Sequence, residues 1–296
     1  MHNHLSGWPK ISVVTPNYNG GRFLEKTILS VIDQDYPNLE YIIIDGESSD
    51  DSVEIIKKYE KRISFWMSER DDGLYSALQK GFDRSSGEIM AWLNSDDLYH
   101  SGALYTVAEI FSNFREVEWL LGKPTVFDEQ GRCVYVENSR RWSKYEYYLG
   151  EFKGLIQQES TFWRRSLWER AGEEFSRELK YAADYELWLR FFRYVPLYQV
   201  QALTGGYRAR SGDQLSVEHL DEYKQEVNEL LGNWDLNGSE RKILKKYRQL
   251  LKITNTLPDV KLLNKKWLIR RFRNKHFGYV PYIYFDRKSQ SFQFEK

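Results

Sequence analysis

Two adjacent carboxylates, Asp96 and Asp97, follow an apolar run at residues 88–93, from which Asn94 and Ser95 separate them. Hard divalent cations such as Mg²⁺ and Mn²⁺ prefer oxygen ligands, and they bridge phosphates through only one or two protein carboxylates. A cation held by this pair would stabilise a diphosphate as a leaving group. Acidic pairs after a strand are also common in turns and helix caps, so the pair alone favours a turn.

Three other polar segments also follow apolar runs in the first hundred residues. Their candidate ligand-binding residues are Thr15, Pro16, Asn17, Asp45, Arg70, Asp71 and Gly73. The carboxyl ends of parallel strands form the ligand crevice of an open sheet, so the four segments are expected to converge on one rim. Asp45 could accept hydrogen bonds from a base or a ribose, although alone it could equally open a turn. The convergence supports a site more strongly than any single segment does.

The pattern between the polar segments predicts the elements that position them. Short apolar or β-branched runs predict strands at 11–15, 39–44, 63–67 and 88–93, and helical spacing predicts helices at 21–34, 51–59 and 74–83. Asp51 and Glu54 resemble a capping box at the start of the second helix. Alternation of strands and helices favours a parallel sheet with right-handed crossovers.

The remaining part of the chain is less regular. The pattern predicts a helix at about 101–114, extended segments at 117–121, 125–128 and 131–136, the last two as a possible hairpin, a helix at 184–194 and a strand at 197–202. Beyond residue 216 the pattern is helical. The chain is therefore predicted to form one α/β domain with a helical C-terminal extension.

The composition excludes several classes of protein. The 43 basic and 43 acidic side chains cancel, which argues against a dedicated nucleic-acid binder. The sequence has no glycine-rich loop with a lysine, so P-loop chemistry is not expected. The single cysteine, Cys133, cannot form an internal disulfide, which favours an inert thiol in a reducing compartment. No apolar run approaches the roughly 20 residues that span a bilayer, and the first residues lack an apolar signal core, so we expect a soluble or peripheral cytoplasmic protein.

Together these segments resemble the family-2 glycosyltransferases of the GT-A fold. Residues 13–19 resemble the family's first strand and loop, and residues 43–50 resemble its base-binding segment. Residues 73–81 resemble its Gly-x-x-x-Ala-x-Asn-x-Gly helix, with Gln79 in place of the asparagine. The acidic segment matches the family's variant of the Asp-x-Asp metal motif. The resemblance covers about residues 10–215, and it implies a Rossmann-like, mostly parallel sheet flanked by helices.

The resemblance also implies a role for each part of the rim. It assigns nucleotide binding to Thr15, Pro16, Asn17, Asp45, Arg70, Asp71, Gly73, Ser95 and Asp96. It assigns a divalent cation, Mg²⁺ or Mn²⁺, to Asp97 and Asp96, with Asp97 as the firmer ligand.

Asp184 is the catalytic base that the resemblance implies. Residues 182–190 are similar to the family's Glu-Asp segment, with Ala183 where the glutamate often stands. A base at Asp184 would deprotonate an acceptor hydroxyl for in-line attack at the anomeric carbon, and a single displacement inverts the configuration. Without the resemblance, Asp184 is an acidic residue favoured by the dipole at a helix N-terminus.

Further residues are candidates near the donor sugar or the acceptor. They are Asn94, Gln158, Trp163, Arg208 and Arg210. Arg210 stands where the family often has a histidine; it is not a usual metal ligand, but it could pair with a diphosphate. His100 lies close to Asp97 in sequence and is interpreted as a surface or packing residue.

The resemblance implies a hexosyltransferase that moves a sugar from a nucleoside-diphosphate sugar to a glycan or lipid-linked acceptor. UDP-sugars are the expected donors by family frequency, and polysaccharide biosynthesis is the expected setting. Residues 1–216 would form the catalytic domain, with a nucleotide-sugar half at about 10–100 and an acceptor half at about 101–216, and residues 217–296 the extension. A nucleotidyltransferase and a non-catalytic sugar-nucleotide-binding module are the alternatives.

A basic stretch lies inside the C-terminal extension. Residues 261–275 contain seven basic and no acidic side chains, with Trp267 and Phe272 among several apolar residues. Such a stretch is typical of contact with an anionic membrane surface, which would suit a lipid-linked acceptor at the inner face of the cell membrane. A helix that packs its apolar side on the catalytic domain explains the pattern as well.

Overall fold

The computed structural model describes residues 7–150, 156–210, 218–256 and 265–295. The boundary expected at residue 216 and the first part of the basic stretch, residues 261–264, lie outside these ranges. The strands are β1 (Ile11–Asn17), β2 (Leu39–Asp45), β3 (Phe65–Ser68), β4 (Ile89–Trp92), β5 (Leu98–Tyr99), β6 (Trp119–Leu121), β7 (Thr125–Phe127), β8 (Cys133–Val136), β9 (Thr161–Arg164), β10 (Tyr198–Gln199), β11 (Gly205–Arg208), β12 (Ile283–Asp286) and β13 (Ser291–Phe294).

Ten helices accompany these strands in the described ranges. They are α1 (Gly21–Ile32), α2 (Ser52–Tyr59), α3 (Leu74–Arg84), α4 (Ala103–Asn113), α5 (Lys144–Tyr148), α6 (Arg165–Arg170), α7 (Ala183–Tyr194), α8 (Leu220–Asn233), α9 (Gly238–Thr256) and α10 (Lys265–His276). Short 3-10 turns occupy Glu60–Arg62 and Gln158–Ser160.

The central sheet has seven strands in the order β10-β6-β9-β4-β1-β2-β3. β1 pairs in parallel with both β2 and β4, and β2 pairs in parallel with β3. β9 is antiparallel to its neighbours β4 and β6. The predicted α/β fold with a mostly parallel sheet is therefore confirmed, and the four polar segments do leave the same edge of the sheet.

Burial on both faces explains why the central strands are so apolar. Every residue of β1 is buried, and adjacent side chains of the strand enter two different cores. Val14 packs in a core to which α3 and α7 contribute, whereas Val13 packs in a core to which α1 and α4 contribute. Alternation of side chains across a strand requires this, so each face of the sheet needs its own layer of helices.

A second sheet of four strands, in the order β5-β11-β7-β8, lies beside the acidic segment. β7 and β8 form the predicted antiparallel hairpin. β11 pairs with β5, which begins directly after Asp97, and so it brings Arg208 close to the acidic pair.

Two details differ from the sequence analysis. The capping oxygen of α2 comes from Asp50, whose Oδ1 accepts a hydrogen bond from Ser52 N at 3.0 Å, so the capping box at Asp51 was wrong. The C-terminal extension is helical in α8 to α10, but it then forms the antiparallel hairpin β12–β13. Ile283 of that hairpin is fully buried, and its carbonyl accepts a hydrogen bond from Gln201 N at 2.7 Å. The extension therefore packs on the catalytic fold.

Candidate functional site

Asp45 links the ends of three parallel strands. Its Oδ1 accepts hydrogen bonds from Asn17 Nδ2 at 2.7 Å and Ser48 Oγ at 2.5 Å. Its Oδ2 accepts from Ser48 N at 3.0 Å and Ser68 Oγ at 2.6 Å. Four donors match the acceptor capacity of one carboxylate, which accounts for its complete burial. The contacts give Asp45 a role in shaping the rim; direct contact with a base or ribose stays a prediction.

The first loop divides into buried and rim-facing residues. Thr15 is fully buried, and its hydroxyl lies 3.1 Å from the hydroxyl of Tyr41 inside the sheet. Pro16 is also buried, whereas Asn17 reaches Asp45 at the end of β2. Of the three residues expected from this loop, Asn17 has a polar side chain directed to the edge where the strands end.

The third loop approaches the second through a glycine. Asp71 Oδ1 accepts a hydrogen bond from Gly73 N at 2.8 Å, directly before α3. A Cβ added at Gly46 would lie 3.0 Å from Asp71 Oδ2, so only glycine fits there without a shift. Arg70 is exposed, and Gly73 has a φ of 105°, a conformation that glycine adopts readily. The loop that contains Arg70, Asp71 and Gly73 therefore lies directly over the second loop.

The acidic segment is held against α1. Thr27 Oγ1 lies 2.8 Å from the carbonyl oxygens of both Ser95 and Asp97. Asp97 N donates to Asn94 O at 3.0 Å, so the segment is a turn, as the residues alone suggested. The turn buries Asp97 to 4% exposure but leaves 23% of the Asp96 side chain exposed. The two carboxylates consequently differ in their access to a ligand.

Two arginines of the β11 segment meet this acidic pair. Arg208 N donates to Asp97 Oδ1 at 2.9 Å, and Arg208 Nε donates to the carbonyl of Asp96 at 2.6 Å. Arg210 Nη2 forms an ion pair with Asp96 Oδ2 at 3.1 Å. Arg208 is fully buried, so its contacts are structural, whereas Arg210 is partly exposed beside Asp96.

Glu159 is a third carboxylate near the pair, and it was not among the residues expected there from the sequence. Burial raises the pKa of Glu159 to about 8, with a further contribution from the charge of Asp96. Burial, followed by the charges of Asp96 and Glu159, raises the pKa of Asp97 well above its usual range. Burial also raises the pKa of Asp96, against the opposing effect of Arg210. This crowding of like charges favours a bound cation.

The acidic pair fits the chemistry of a divalent cation that is shared with a diphosphate. Asp96 presents an accessible carboxylate, and Asp97 lies behind it with Gln158 Nε2 at 3.5 Å from its Oδ2. In the ranges that the structure describes, no set of three or more His, Cys, Asp or Glu side chains forms a metal cage. Mg²⁺ sites commonly use one or two carboxylates together with substrate phosphates.

Asp184 lies in the first turn of α7 and contacts the start of α3. Its Oδ1 accepts hydrogen bonds from Tyr185 N at 2.7 Å and from the hydroxyl of Tyr75 at 3.2 Å. Tyr75 is two residues from Gly73, so these contacts join Asp184 to the loop at the end of β3. Burial raises the pKa of Asp184 to about 6. A carboxylate with a pKa near neutrality is suited to general-base chemistry.

Two other expected positions have packing roles in the structure. Trp163 is fully buried in the core, with its ring centroid 5.7 Å from that of Phe82 and 5.5 Å from that of Trp92, so the expectation that it contacts the donor sugar or the acceptor was wrong. His100 Nε2 lies 2.9 Å from Thr125 Oγ1, and burial lowers its pKa. These contacts agree with the interpretation of His100 as a packing residue.

Comparison with known proteins identifies the family to which this chain is similar. The model of the family described as Glycosyl transferase family 2 matches residues 12–169. A GalNAc(5)-diNAcBac-PP-undecaprenol beta-1,3-glucosyltransferase of Campylobacter jejuni is 31% identical over 200 residues, which are 62% of this chain and 60% of that protein. An uncharacterized glycosyltransferase of Rickettsia typhi is 28% identical over 64% of this chain and 61% of its own length. The chain thus spans about three fifths of the length of these curated relatives.

Solved structures share the fold. S. aureus TarS 1-349 in complex with UDP-GlcNAc aligns with a TM-score of 0.56 at 19% identity, covering 90% of this chain and 72% of that chain. The mannosyltransferase PcManGT from Pyrobaculum calidifontis, in complex with GDP-Man and Mn²⁺, aligns with a TM-score of 0.53 at 14% identity, covering 90% and 70%. At these identities the likeness confirms the fold expected from the sequence and no more.

Proposed function

Because the chain belongs to glycosyl transferase family 2, we propose that it transfers a sugar from a nucleoside-diphosphate sugar to a hydroxyl of a glycan or lipid-linked acceptor. The observation that carries this proposal is the contact between Tyr75 and Asp184, which places a carboxylate of near-neutral pKa beside the rim. Family membership argues against the nucleotidyltransferase alternative, and a non-catalytic module would not need Asp184.

The donor lies along the ends of β1 to β4. Asn17 and the loop from Asp71 to Gly73 contact the nucleotide, Asp45 fixes the rim on which it lies through its four hydrogen bonds, and the diphosphate lies toward Asp96. A UDP-linked donor is supported by the complexes of TarS with UDP-GlcNAc and with UDP, while the GDP-Man complex of PcManGT shows that the fold also accepts another base.

The acidic pair and Arg210 act on the diphosphate. Asp96 and Asp97 would hold Mg²⁺ or Mn²⁺, which when bound neutralises the charge that develops on the leaving diphosphate. The Mn²⁺ in the PcManGT complex supports this assignment. Arg210, fixed at 3.1 Å from Asp96, presents a planar guanidinium that can pair with phosphate oxygens.

Asp184 removes the proton from the acceptor hydroxyl. Above a pH of about 6 its carboxylate is ionised and can accept that proton. The hydroxyl oxygen then attacks the anomeric carbon opposite the diphosphate, and the bond to the diphosphate breaks. One displacement of this kind inverts the anomeric configuration.

A thermal-shift panel tests the donor assignment. A ligand that binds only the folded state stabilises it by about 2.7 kcal/mol at a hundred times its Kd. Because UDP is the proposed nucleotide of the donor, UDP with Mn²⁺ should have the lowest Kd and raise the melting temperature more than GDP or dTDP at the same concentration. UDP without Mn²⁺ and pyrophosphate with Mn²⁺ are the controls for the metal and the base. If none of the nucleotides changes the melting temperature, the proposed donor site is wrong.

The exposed side of α10 supports a membrane-associated acceptor. Lys266, Arg270, Arg271 and Lys275 are exposed, and Arg271 lies 5.0 Å from the ring of Trp267. The opposite side packs on the protein, where Phe272 contacts Tyr247 with a centroid distance of 5.7 Å. Within the described ranges no helix is long and apolar enough to cross a membrane. We therefore propose that α10 contacts an anionic bilayer surface through its cationic side.

Neutralising that side should weaken vesicle binding. Changing Lys266, Arg270, Arg271 and Lys275 to Gln removes about 1 kcal/mol per charge near an anionic surface, so binding should fall at least about a hundredfold at low salt. Vesicle flotation with phosphatidylglycerol measures this loss of binding.

The matched control removes four exposed charges that are dispersed over the surface, Lys57, Lys61, Arg115 and Lys288. Equal binding by the two variants would refute the α10 assignment. Truncation is unsuitable, because it would remove the buried residues Phe277 and Ile283.

A further inference from the structure

A carboxylate of the C-terminal extension lies at the start of α7. Glu226, from α8, accepts hydrogen bonds from three consecutive backbone amides. Its Oε1 accepts from Lys180 N at 3.0 Å, and its Oε2 accepts from Tyr181 N at 2.9 Å and Ala182 N at 2.8 Å. Backbone amides at a helix start have no partner inside the helix, and a carboxylate there is favoured by the helix dipole. One side chain therefore fixes the backbone that leads directly into Asp184.

The same backbone is also held by Tyr75 of α3. The hydroxyl of Tyr75 lies 2.9 Å from the carbonyl of Tyr181 and 3.2 Å from Asp184 Oδ1, and Asp184 N donates to it at 3.3 Å. Residues 180–184 are thus held between α3 of the nucleotide half and α8 of the C-terminal extension. We name Tyr75 and Glu226 the α7 clamp.

We propose that the α7 clamp positions Asp184, so that the C-terminal extension is part of the catalytic unit. This inference rests on the proposed function, in which Asp184 is the base. It gives Tyr75 and Glu226 the role of positioning residues, since they act on the reaction through Asp184. Charge-assisted hydrogen bonds of this kind are about twice as strong as neutral ones, which suits them to fixing a short backbone segment.

The clamp also acts on the protonation of Asp184, and its two members act in opposite directions. After burial, which raises the pKa of Asp184 to about 6, the hydrogen bond from Tyr75 lowers that pKa and the charge of Glu226 raises it. Burial raises the pKa of each neighbouring tyrosine, so these stay neutral near pH 7. Among the residues that the structure describes, the titratable or charged groups that interact with Asp184 are Tyr75 from α3, Tyr147 from α5, Tyr185 on α7, and Tyr223 and Glu226 from α8.

Two substitutions with opposite signs test the clamp. Glu226→Gln removes the negative charge, so the acid limb of the kcat/KM profile should move to lower pH. Tyr75→Phe removes the hydrogen bond to the carboxylate, so the acid limb should move to higher pH. Each should lower kcat by about tenfold to a hundredfold, because a small displacement of a catalytic group has effects of that size. Glu229→Gln is the matched control, since Glu229 is exposed on α8 and accepts its hydrogen bond from Gln225.

Further measurements separate positioning from loss of fold. Hydrogen exchange at the amides of residues 180–182 should be faster in Glu226→Gln than in Glu229→Gln, while UDP affinity stays unchanged. Glu226→Asp keeps the charge on a shorter side chain, so its acid limb should return toward that of the native chain although kcat stays low. Acid limbs and exchange rates in Glu226→Gln that equal those of Glu229→Gln would overturn the proposal. If Asp184→Asn nevertheless loses turnover, Asp184 is still supported as the base, and only the proposed role of the α7 clamp is wrong.

Discussion

Asp184→Asn is expected to lower the transfer rate by about 10²- to 10⁴-fold, the contribution of a general base, while UDP binds as tightly as before. Asparagine has nearly the same shape, and its Oδ1 can still accept the hydrogen bonds from Tyr185 N and the hydroxyl of Tyr75. It cannot take a proton from an acceptor hydroxyl. Initial rates of UDP release with a glycan acceptor measure the loss, and calorimetry with UDP and Mn²⁺ measures the binding.

The control should remove the same charge from a comparable place. Asp221→Asn does so in the first turn of α8, where the side chain is exposed. It should leave both rate and affinity unchanged. Turnover in Asp184→Asn close to that of Asp221→Asn would show that another group accepts the proton. This test is needed because the family match ends at residue 169 and therefore does not include Asp184.

The native pH profile gives an independent check on the same carboxylate. Burial raises the pKa of Asp184 to about 6, so the protonated form, which cannot act as a base, accumulates as the pH falls through that value. The rate should therefore decline below about pH 6. A decline only near pH ~4, where an unperturbed aspartate titrates, would contradict the assignment.

The rim of the site could be predicted from the sequence because it is a local property of each strand. Asp45 follows directly on an apolar run and Asp96 follows another after two residues, and parallel strands place all such ends on one edge. The sequence pattern predicted the strands and helices through residue 114 to within a few residues, except for the two-residue strand β5.

The contacts that give the site its character could not be predicted in this way. Asp97 meets Arg208 across 111 residues of sequence, and Asp184 meets Tyr75 across 109. Glu226 reaches Ala182 from a helix whose pattern shows only an amphipathic surface. The periodicity of apolar residues indicates which face of a helix or strand is buried, but it does not indicate which distant element packs on that face.

Trp163 shows the limit of transferring a role from a motif. Tryptophan suits both sugar contact and core packing, so residue type alone does not distinguish these uses. β9 pairs antiparallel between β4 and β6, in the middle of the sheet, which leaves Trp163 fully buried. The C-terminal hairpin was missed for a related reason, because strands of four residues are too short to show a clear period of two.

Asp97→Asn is expected to remove the strengthening of UDP binding by Mn²⁺ while leaving the fold intact. Asparagine can still accept the hydrogen bond from Arg208 N, so the link between the acidic turn and β11 persists. It also removes one of three crowded carboxyl groups, so the ligand-free variant should melt no lower than the native chain. The Mn²⁺-dependent part of the affinity should fall at least about tenfold, which corresponds to about 1.4 kcal/mol.

Asp96→Asn separates the two carboxylates, because Asp96 is accessible and paired with Arg210 whereas Asp97 is buried behind it. If both carboxylates bind the cation, either substitution should abolish the effect of Mn²⁺ on UDP affinity. If only Asp96 binds it, Asp97→Asn should retain that effect, and the metal role of Asp97 would be refuted. Asp83→Asn, an exposed position on α3, is the control for loss of one charge. The greater exposure of Asp96 favours it as the carboxylate nearer to the diphosphate, whereas the motif favours Asp97 as the firmer ligand, and the two substitutions decide between these assignments.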